Sequence, residues 1–414
     1  MKKIAFVVQR YGSEVNGGAE YHCRILAERL KGIYDIEILT SCAKDYITWA
    51  NVYPEGLSTI NGIKVRRFRS LEERNNSEMR HLGKILRKRR WYQKLLKFFG
   101  LLTNFEKFFQ NNPNMDELNY NWSKHQGPFV PGLVDFIRDK EIEYDIFIFF
   151  TYLYFPTLYG LREVPHKSIL IPTAHDEPFI YLPVFHSLFK SPGAILYNTV
   201  AEKKLVESIF ENSQIYNDVI GVGIDEDCSC DFSVGIQNPV AGNYVLYIGR
   251  IDPSKGCGML IDYFLRYKKA SNSDMKLVLV GRASMNIPSH PDIIYLGFVQ
   301  EEVKKIILVG AKALINPSLV ESLSLVTLES MAAGVPVIAN RHCEVLKDHI
   351  LESKAGFLFS DYKSFKSVLE TLISGSVNLE ALKVNGQDYV KRYYSWNTVV
   401  TKLKKAVDHV ILKQ

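Results

Sequence analysis

The sequence predicts an α/β chain made of two doubly wound, Rossmann-like halves. Three observations carry this expectation. Continuous apolar runs at Lys3–Val8 and Tyr244–Ile248 each read as a strand covered on both faces, as parallel sheets require. A glycine-bearing loop follows each run, and apolar residues at helical spacing follow the loop, which is how a doubly wound unit opens. Residues 226–242 between the halves are polar and hold Gly235, Pro239 and Gly242, the composition of a linker.

Size and composition agree with this. A chain of 414 residues exceeds one ordinary core, and 47% hydrophobic with 23% charged residues is a globular balance. The formal charge of +6 suits an anionic ligand or an anionic surface. With no recognition fold beside it, that charge does not point to nucleic acid. Cys23, Cys42, Cys228, Cys230, Cys257 and Cys343 include no C-x-x-C pair, so they are expected to be reduced packing thiols with no metal site. The acids Asp225, Glu226, Asp227 and Asp231 fall in the polar linker, where a solvated run is the simpler reading. The run Ile4–Val8 is too short for a signal peptide, and Ile146–Leu161 is broken by Pro156 and Gly160. No membrane span is therefore expected.

Taken in order, the first strand leads into a loop with Gly12, Gly17 and Gly18, and then a helix from Ala19 to Leu30. The full G-x-G-x-x-G pattern is absent, so this is not read as a dehydrogenase fingerprint. Tyr34–Thr40 and Ile63–Phe68 read as further strands. From about residue 70 to 130 the strand–helix rhythm is lost, as in an insertion. Within it, Arg80–Lys97 is a basic amphipathic segment with Leu82, Ile85, Leu86, Leu95 and Leu96 on an apolar stripe. It is expected to touch an anionic membrane surface, although the stripe can equally pack on its own domain. Gly132–Lys140 reads as helix, and Tyr144–Phe150, Ser168–Thr173 and Ala194–Asn198 as strands. His175 and Asp176 follow the second of these, at a strand's carboxyl end, where open α/β folds bind ligands.

In the second half, Gly249-Arg250 ends the strand from Tyr244, and Asp252-Pro253-Ser254-Lys255-Gly256 precedes the next helix. Arg250 and Lys255 can close on a diphosphate from two sides. Lys276–Val280 and Ile293–Leu296 are strands, the latter followed by Phe298 and Val299. The stretch from Ala313 to Ala339 reads as strand, polar loop, helix, turn and strand. Ser324 is expected to cap the helix from Leu325. Glu321 lies in the loop and Glu329 about a turn inside the helix. A helix N-terminus after a strand seats phosphate, and the two carboxylates flank it where sugar hydroxyls can donate to them.

Glu321-x7-Glu329 in this setting, with Gly249-Arg250 and Lys255-Gly256 before it, resembles the retaining glycosyltransferases of family 4, which have the GT-B fold. Gly17-Gly18-Ala19-Glu20 and Gly221-Val222-Gly223-Ile224-Asp225 are similar to that family's first loop and domain crossover. The chain departs from the family at Ser322-Leu323-Ser324-Leu325, where Gly-Phe-Gly-Leu is common. The resemblance implies two Rossmann-like domains facing a cleft: 1–222 on the acceptor side, 223–395 on the nucleotide-sugar side, and 396–414 as a helix returning to the first. It implies that Arg250 and Lys255 stabilise the departing diphosphate, that Glu321 orients the transferred sugar and that Glu329 holds the ribose. It also implies that His175 meets the sugar, that Gly17, Gly18, Gly249, Ser324 and Leu325 approach the donor with backbone, and that Phe298 and Val299 border the base.

The activity expected from the resemblance is transfer of a hexose from a nucleotide diphosphate sugar, without metal or other cofactor, to an oligosaccharide or lipid-linked acceptor. The expected setting is bacterial surface-polysaccharide assembly, in the cytoplasm or at the inner face of its membrane. Three alternatives stay open: a nucleotide-sugar 2-epimerase of the same architecture, a soluble transferase making a small glycoside, and a non-catalytic nucleotide-binding subunit.

Overall fold

The computed structural model describes residues 1–15, 17–87, 113–225 and 237–414. The chain divides into two units, Met1–Ile220 with Val400–Gln414, and Gly221–Val399.

The first unit is built on β1 (Lys3–Val7), β2 (Asp35–Ser41), β3 (Gly56–Ile60), β4 (Ile63–Phe68), β5 (Ile146–Phe150), β6 (Ser168–Ile171), β7 (Ala194–Tyr197) and β8 (Tyr216–Val219). Their order is β3-β4-β2-β1-β5-β6-β7-β8, parallel except where β3 runs against β4. The helices described are α1 (Gly18–Leu30), α2 (Asn76–Arg87), α3 (Pro113–Gln126), α4 (Pro131–Asp139), α5 (Phe155–Glu163), α6 (Phe185–Lys190) and α7 (Val200–Phe210). All five residues of β5, Ile-Phe-Ile-Phe-Phe, are buried, because helices cover both faces of a parallel sheet. Thr199 caps α7 by accepting from the Glu202 amide, which ends β7 and starts the helix in one step.

β3 has no apolar run, since its residues alternate between exposed and half-buried, and apolar patterning alone does not find it. Its signal is the turn: Asn61 and Gly62, at φ 50° and 76°, join Ile60 to its partner Ile63 as a tight hairpin.

The second unit holds β9 (Tyr244–Ile248), β10 (Lys276–Val280), β11 (Ile293–Gly297), β12 (Ala313–Asn316), β13 (Val337–Asn340) and β14 (Gly356–Phe359), all parallel in the order β11-β10-β9-β12-β13-β14. Its helices are α8 (Cys257–Ala270), α9 (Glu301–Gly310), α10 (Leu325–Ala332), α11 (Glu344–Ser353), α12 (Tyr362–Ile373) and α13 (Leu379–Tyr394). The winding direction reverses between β9 and β12, so the loops after these strands part to opposite sides and leave a crevice at their carboxyl ends. A last helix, α14 (Trp396–Leu412), contains the division between the units. Its later part is tied to the first unit: Lys402 donates to the Val219 carbonyl, His409 stacks on Tyr216 with centroids 4.2 Å apart, and Asp408 pairs with Lys2 at 2.8 Å.

The basic amphipathic segment is described only up to Arg87, and residues 88–97 lie outside the described residues. In the described part, Leu82 and Leu86 are buried in the first unit's core with Met79, Met115 and Trp122. These two leucines are therefore not available to a membrane, a correction to the sequence reading; packing on the domain removes them from water without any partner. Among the described residues no helix is long and apolar enough to cross a membrane, and no cluster of His, Cys, Asp and Glu could hold a metal ion. Cys23, Cys42, Cys257 and Cys343 are buried free thiols, while Cys228 and Cys230 lie outside the described residues.

The stretch that starts the second unit runs beside the stretch that ends it. Ile224 bridges to Ser395, and Trp396 Nε1 donates to Asp225 at 2.9 Å. A Cβ on Gly223 would lie 2.3 Å from the Trp396 ring. Gly223→Ala is thus expected to displace the indole and cost ~1–3 kcal/mol, read as a lower melting temperature, with unchanged stability as the contrary result.

Candidate functional site

The site in the second unit is assembled from the loops that leave β9 and β12. Gly249 sits at φ 150°, and the loop after β10 approaches it so closely that a Cβ on Gly281 would be 1.9 Å from the Gly249 carbonyl. Arg250 follows. Its carbonyl accepts from the Tyr247 hydroxyl at 2.8 Å, and its guanidinium pairs with Asp252. Asp252 also accepts from the Ser254 and Lys255 amides at 2.8 and 3.2 Å, capping the short turn Pro253–Lys255. Burial works against Asp252 ionising, but these hydrogen bonds and the Arg250 charge prevail and hold its carboxyl below the usual range. Sequence reasoning assigned Asp252 no role; its position before Pro253 was the available signal.

The two loops then meet. Gly256 is left-handed at φ 75°, and a Cβ there would lie 2.4 Å from the Pro317 carbonyl. Beside this contact the Lys255 ammonium sits 2.8 Å from Glu321 Oε1, joining residues 66 positions apart. An ammonium has three N–H groups, so this bond leaves two for another anion.

Ser324 stands at the head of α10, but its side chain does not cap the helix as expected. A capping serine needs extended backbone, whereas Ser324 is left-handed at φ 65°, ψ 77°. Its hydroxyl accepts from Asn316 Nδ2 at 2.8 Å and lies 2.9 Å from Thr327 Oγ1. The left-handed backbone accounts for glycine being common here in the resembling family, because a Cβ costs about 1–2 kcal/mol there.

His349, buried on α11, was missed by sequence reasoning; nothing in its surroundings marks it. Its Nε2 lies 2.8 Å from the Leu323 carbonyl and its Nδ1 3.0 Å from the Tyr389 hydroxyl of α13. A carbonyl only accepts, so Nε2 carries the proton and Nδ1 accepts from Tyr389. This pins the peptide just before Ser324. Burial lowers the imidazole pKa to about 4, with the Leu323 hydrogen bond acting the other way.

Glu329, in the second turn of α10, is not at the Lys255–Glu321 contact. It meets Lys304 of α9, whose ammonium is 3.1 Å from Glu329 Oε2. Leu325 is half-buried as the first residue of α10. Phe298 and Val299 follow the edge strand β11; Phe298 is 62% exposed, and Val299 is half-buried.

The remaining candidates belong to the first unit. Gly17 precedes α1, and a Cβ there would lie 2.1 Å from Glu20 Oε2. Glu20 is held in a buried pair with Arg10 at 2.5 Å. Gly18 begins α1 with open space where a Cβ would be. His175 follows β6, its Nε2 3.7 Å from Glu177, which accepts from the Tyr152 hydroxyl at 2.6 Å. Asp176 accepts from the Tyr181 hydroxyl at 2.9 Å. The amide just before His175, that of Ala174, donates to Glu202, which also accepts from the Asn198 amide at 2.6 Å. Complete burial pushes the Glu202 carboxyl up to about 8, although the amide bonds pull it down.

Two outcomes follow from this geometry. Ser324→Gly loses the hydroxyl bonds but relieves the backbone, whereas Ser324→Ala loses the bonds and keeps the strain. Chemical denaturation should therefore find the alanine variant less stable than the glycine variant by about 1 kcal/mol. For His349 the folded pKa lies below the unfolded one. Its contribution is complete above pH 6.5 and is lost as pH falls toward about 4. Melting temperature should drop over that window, and less steeply in His349→Gln.

Comparison with known proteins places part of the chain beside a known family. Residues 242–375 match the model of glycosyl transferases group 1. An uncharacterized glycosyltransferase of Methanocaldococcus jannaschii is 24% identical over 218 residues, covering 49% of this chain and 53% of the relative. A phosphatidyl-myo-inositol mannosyltransferase of Mycobacterium leprae is 27% identical over 231 residues, covering 53% and 59%. The chain thus spans about half the length of the curated relatives it matches. Sucrose-phosphate synthase from Thermosynechococcus elongatus superposes with a TM-score of 0.69 at 14% identity, over 100% of both chains. HepE from Anabaena, solved in complex with UDP, gives 0.68 at 17% identity, over 99% of this chain and 100% of that one. At such identities these likenesses concern the fold alone. Residues 242–375 thus match glycosyl transferases group 1, within a chain that has the GT-B fold of two Rossmann-like units.

Proposed function

We propose that the protein is a retaining glycosyltransferase that moves a hexose from a nucleotide diphosphate sugar to a hydroxyl of an oligosaccharide or lipid-linked acceptor. The observation that carries this reading is the Lys255–Glu321 contact at the crevice between β9 and β12. It puts a cation with spare donors next to a carboxylate that can orient a sugar, at the helix end where a phosphate is favoured. In the reaction the bond from the sugar's anomeric carbon to the diphosphate breaks, and the acceptor oxygen takes its place. The acceptor's proton leaves with the diphosphate oxygen. Arg250 and Lys255 stabilise the charge that grows on the leaving group, which is electrostatic catalysis. Glu321 holds hydroxyls of the moving sugar and Glu329 those of the ribose. Retention of configuration, and a contact of His175 with the sugar, rest on the family resemblance.

The complex of HepE with UDP supports a nucleotide-sugar donor. The name of the Mycobacterium leprae relative supports a lipid-bearing acceptor. Surface-polysaccharide assembly at the inner face of a bacterial membrane fits such an acceptor.

The test is binding first and turnover second. The matching nucleotide among UDP, GDP and dTDP, supplied at one hundred times its dissociation constant, should stabilise the protein by about 2.7 kcal/mol. Lys255→Ala and Glu321→Ala should each lower kcat on the order of 10²-fold with the fold intact. Turnover at the wild-type rate in both variants would refute the proposal.

A further inference from the structure

A carboxylate placed one turn inside a helix has no backbone N–H of its own to bond. The free amides at the head of α10 are behind it; those of Thr327 and Leu328 already bond to the Ser324 carbonyl. Whatever orients Glu329 must come from another element. α9, on the other side of β12 in sequence, supplies Lys304. Its Nζ lies 3.1 Å from Glu329 Oε2 and 2.7 Å from Glu301 Oε1, and its side chain is 16% exposed.

We propose that Lys304 is a positioning residue for nucleotide binding, holding the Glu329 carboxylate in the rotamer that receives the ribose diol; this rests on Glu329 being the ribose-binding carboxylate. Three features favour it. The bond uses one oxygen, Oε2, and an ionised carboxylate offers about four acceptor sites, so Oε1 remains for hydroxyls. Anchoring a long, rotamer-rich side chain before the ligand arrives removes an ordering cost from binding. The ammonium is also kept charged: burial disfavours the charge, but Glu329 and Glu301 together outweigh burial and hold Lys304 above its ordinary pKa. Glu301, at the start of α9, is a second carboxylate at that ammonium and holds it from its own helix at i,i+3 spacing.

The experiment measures binding of UDP and GDP, of the 2′-deoxy analogue of whichever binds, and of inorganic pyrophosphate to the full chain by calorimetry. The variants are Lys304→Gln, Lys304→Arg, Glu329→Gln, the double variant Lys304→Gln/Glu329→Gln, and Lys305→Gln at the exposed neighbouring position. Lys304→Gln should weaken the ribonucleotide about tenfold, the size of one charge-assisted contact. Its preference over the deoxy analogue should shrink, and pyrophosphate, which has no ribose, should bind as before. Lys304→Arg should restore most of the affinity, the double variant should be no weaker than Glu329→Gln alone, and Lys305→Gln should match wild type. An equal loss of pyrophosphate binding would make Lys304 structural only and overturn the proposal. Wild-type nucleotide affinity in Lys304→Gln, beside a weakened Glu329→Gln, would overturn it while leaving the ribose role of Glu329 standing. Full affinity in Glu329→Gln would remove that role and the proposal together.

Discussion

The close approach of two loops across the reversal in the second sheet is the constraint on which the rest of the site depends. β9 and β12 are neighbours, yet the chain winds away from them in opposite directions. Their following loops would diverge if nothing held them. Gly256 permits the contact, since any Cβ would strike the Pro317 carbonyl, and the Lys255–Glu321 pair fastens it. Asn340 adds a bond from β13 to the same Pro317 carbonyl at 3.0 Å. Glycine, ion pair and amide thus act on one point from three strands.

The loop from Glu321 to Ser324 is held by buried residues of α11 and β12. His349 takes its Leu323 carbonyl, and Asn316 takes the Ser324 hydroxyl. Both partners are buried, where an unmade hydrogen bond is expensive, so each bond is firmly kept. A serine can therefore occupy a left-handed position that glycine would occupy more easily. Asp252 does the same work on the other loop, capping the turn that carries Lys255 while pairing with Arg250. The charges of the crevice are presented by a polar frame that is itself fully engaged.

The first unit shows a parallel pattern at the carboxyl ends of its strands. Glu202 gathers the amides of Ala174 and Asn198, so the turns after β6 and β7 share one buried acceptor. Tyr152, after β5, reaches Glu177 two positions beyond His175. The Arg10–Glu20 pair leaves no room for a side chain at Gly17. In both units side-chain hydrogen bonds tie together loops that follow different strands.

The α/β class and most strands were legible in the sequence because a strand covered on both faces must be a continuous apolar run, as β5 and β9 are. Element ends were legible where the punctuation is local, as at Gly256 before α8. Half-exposed β3 escaped, since alternation over five residues is a weak period, although its Asn-Gly turn was there to be read. Lys255, Glu321 and Glu329 were candidates from their loop and helix positions and from the family resemblance; the fold joins Lys255 to Glu321 and sets Glu329 against Lys304. The sequence could not name Lys304 or His349, because their meaning lies in contacts across 25 and 26 positions that no local pattern encodes. Nor could it tell that Ser324 would turn left-handed and spend its hydroxyl sideways, or that Leu82 and Leu86 would be used by the core. Periodicity and turn chemistry are short-range and written along the chain. Which cation meets which carboxylate is settled only when parallel strands bring distant loops to one edge.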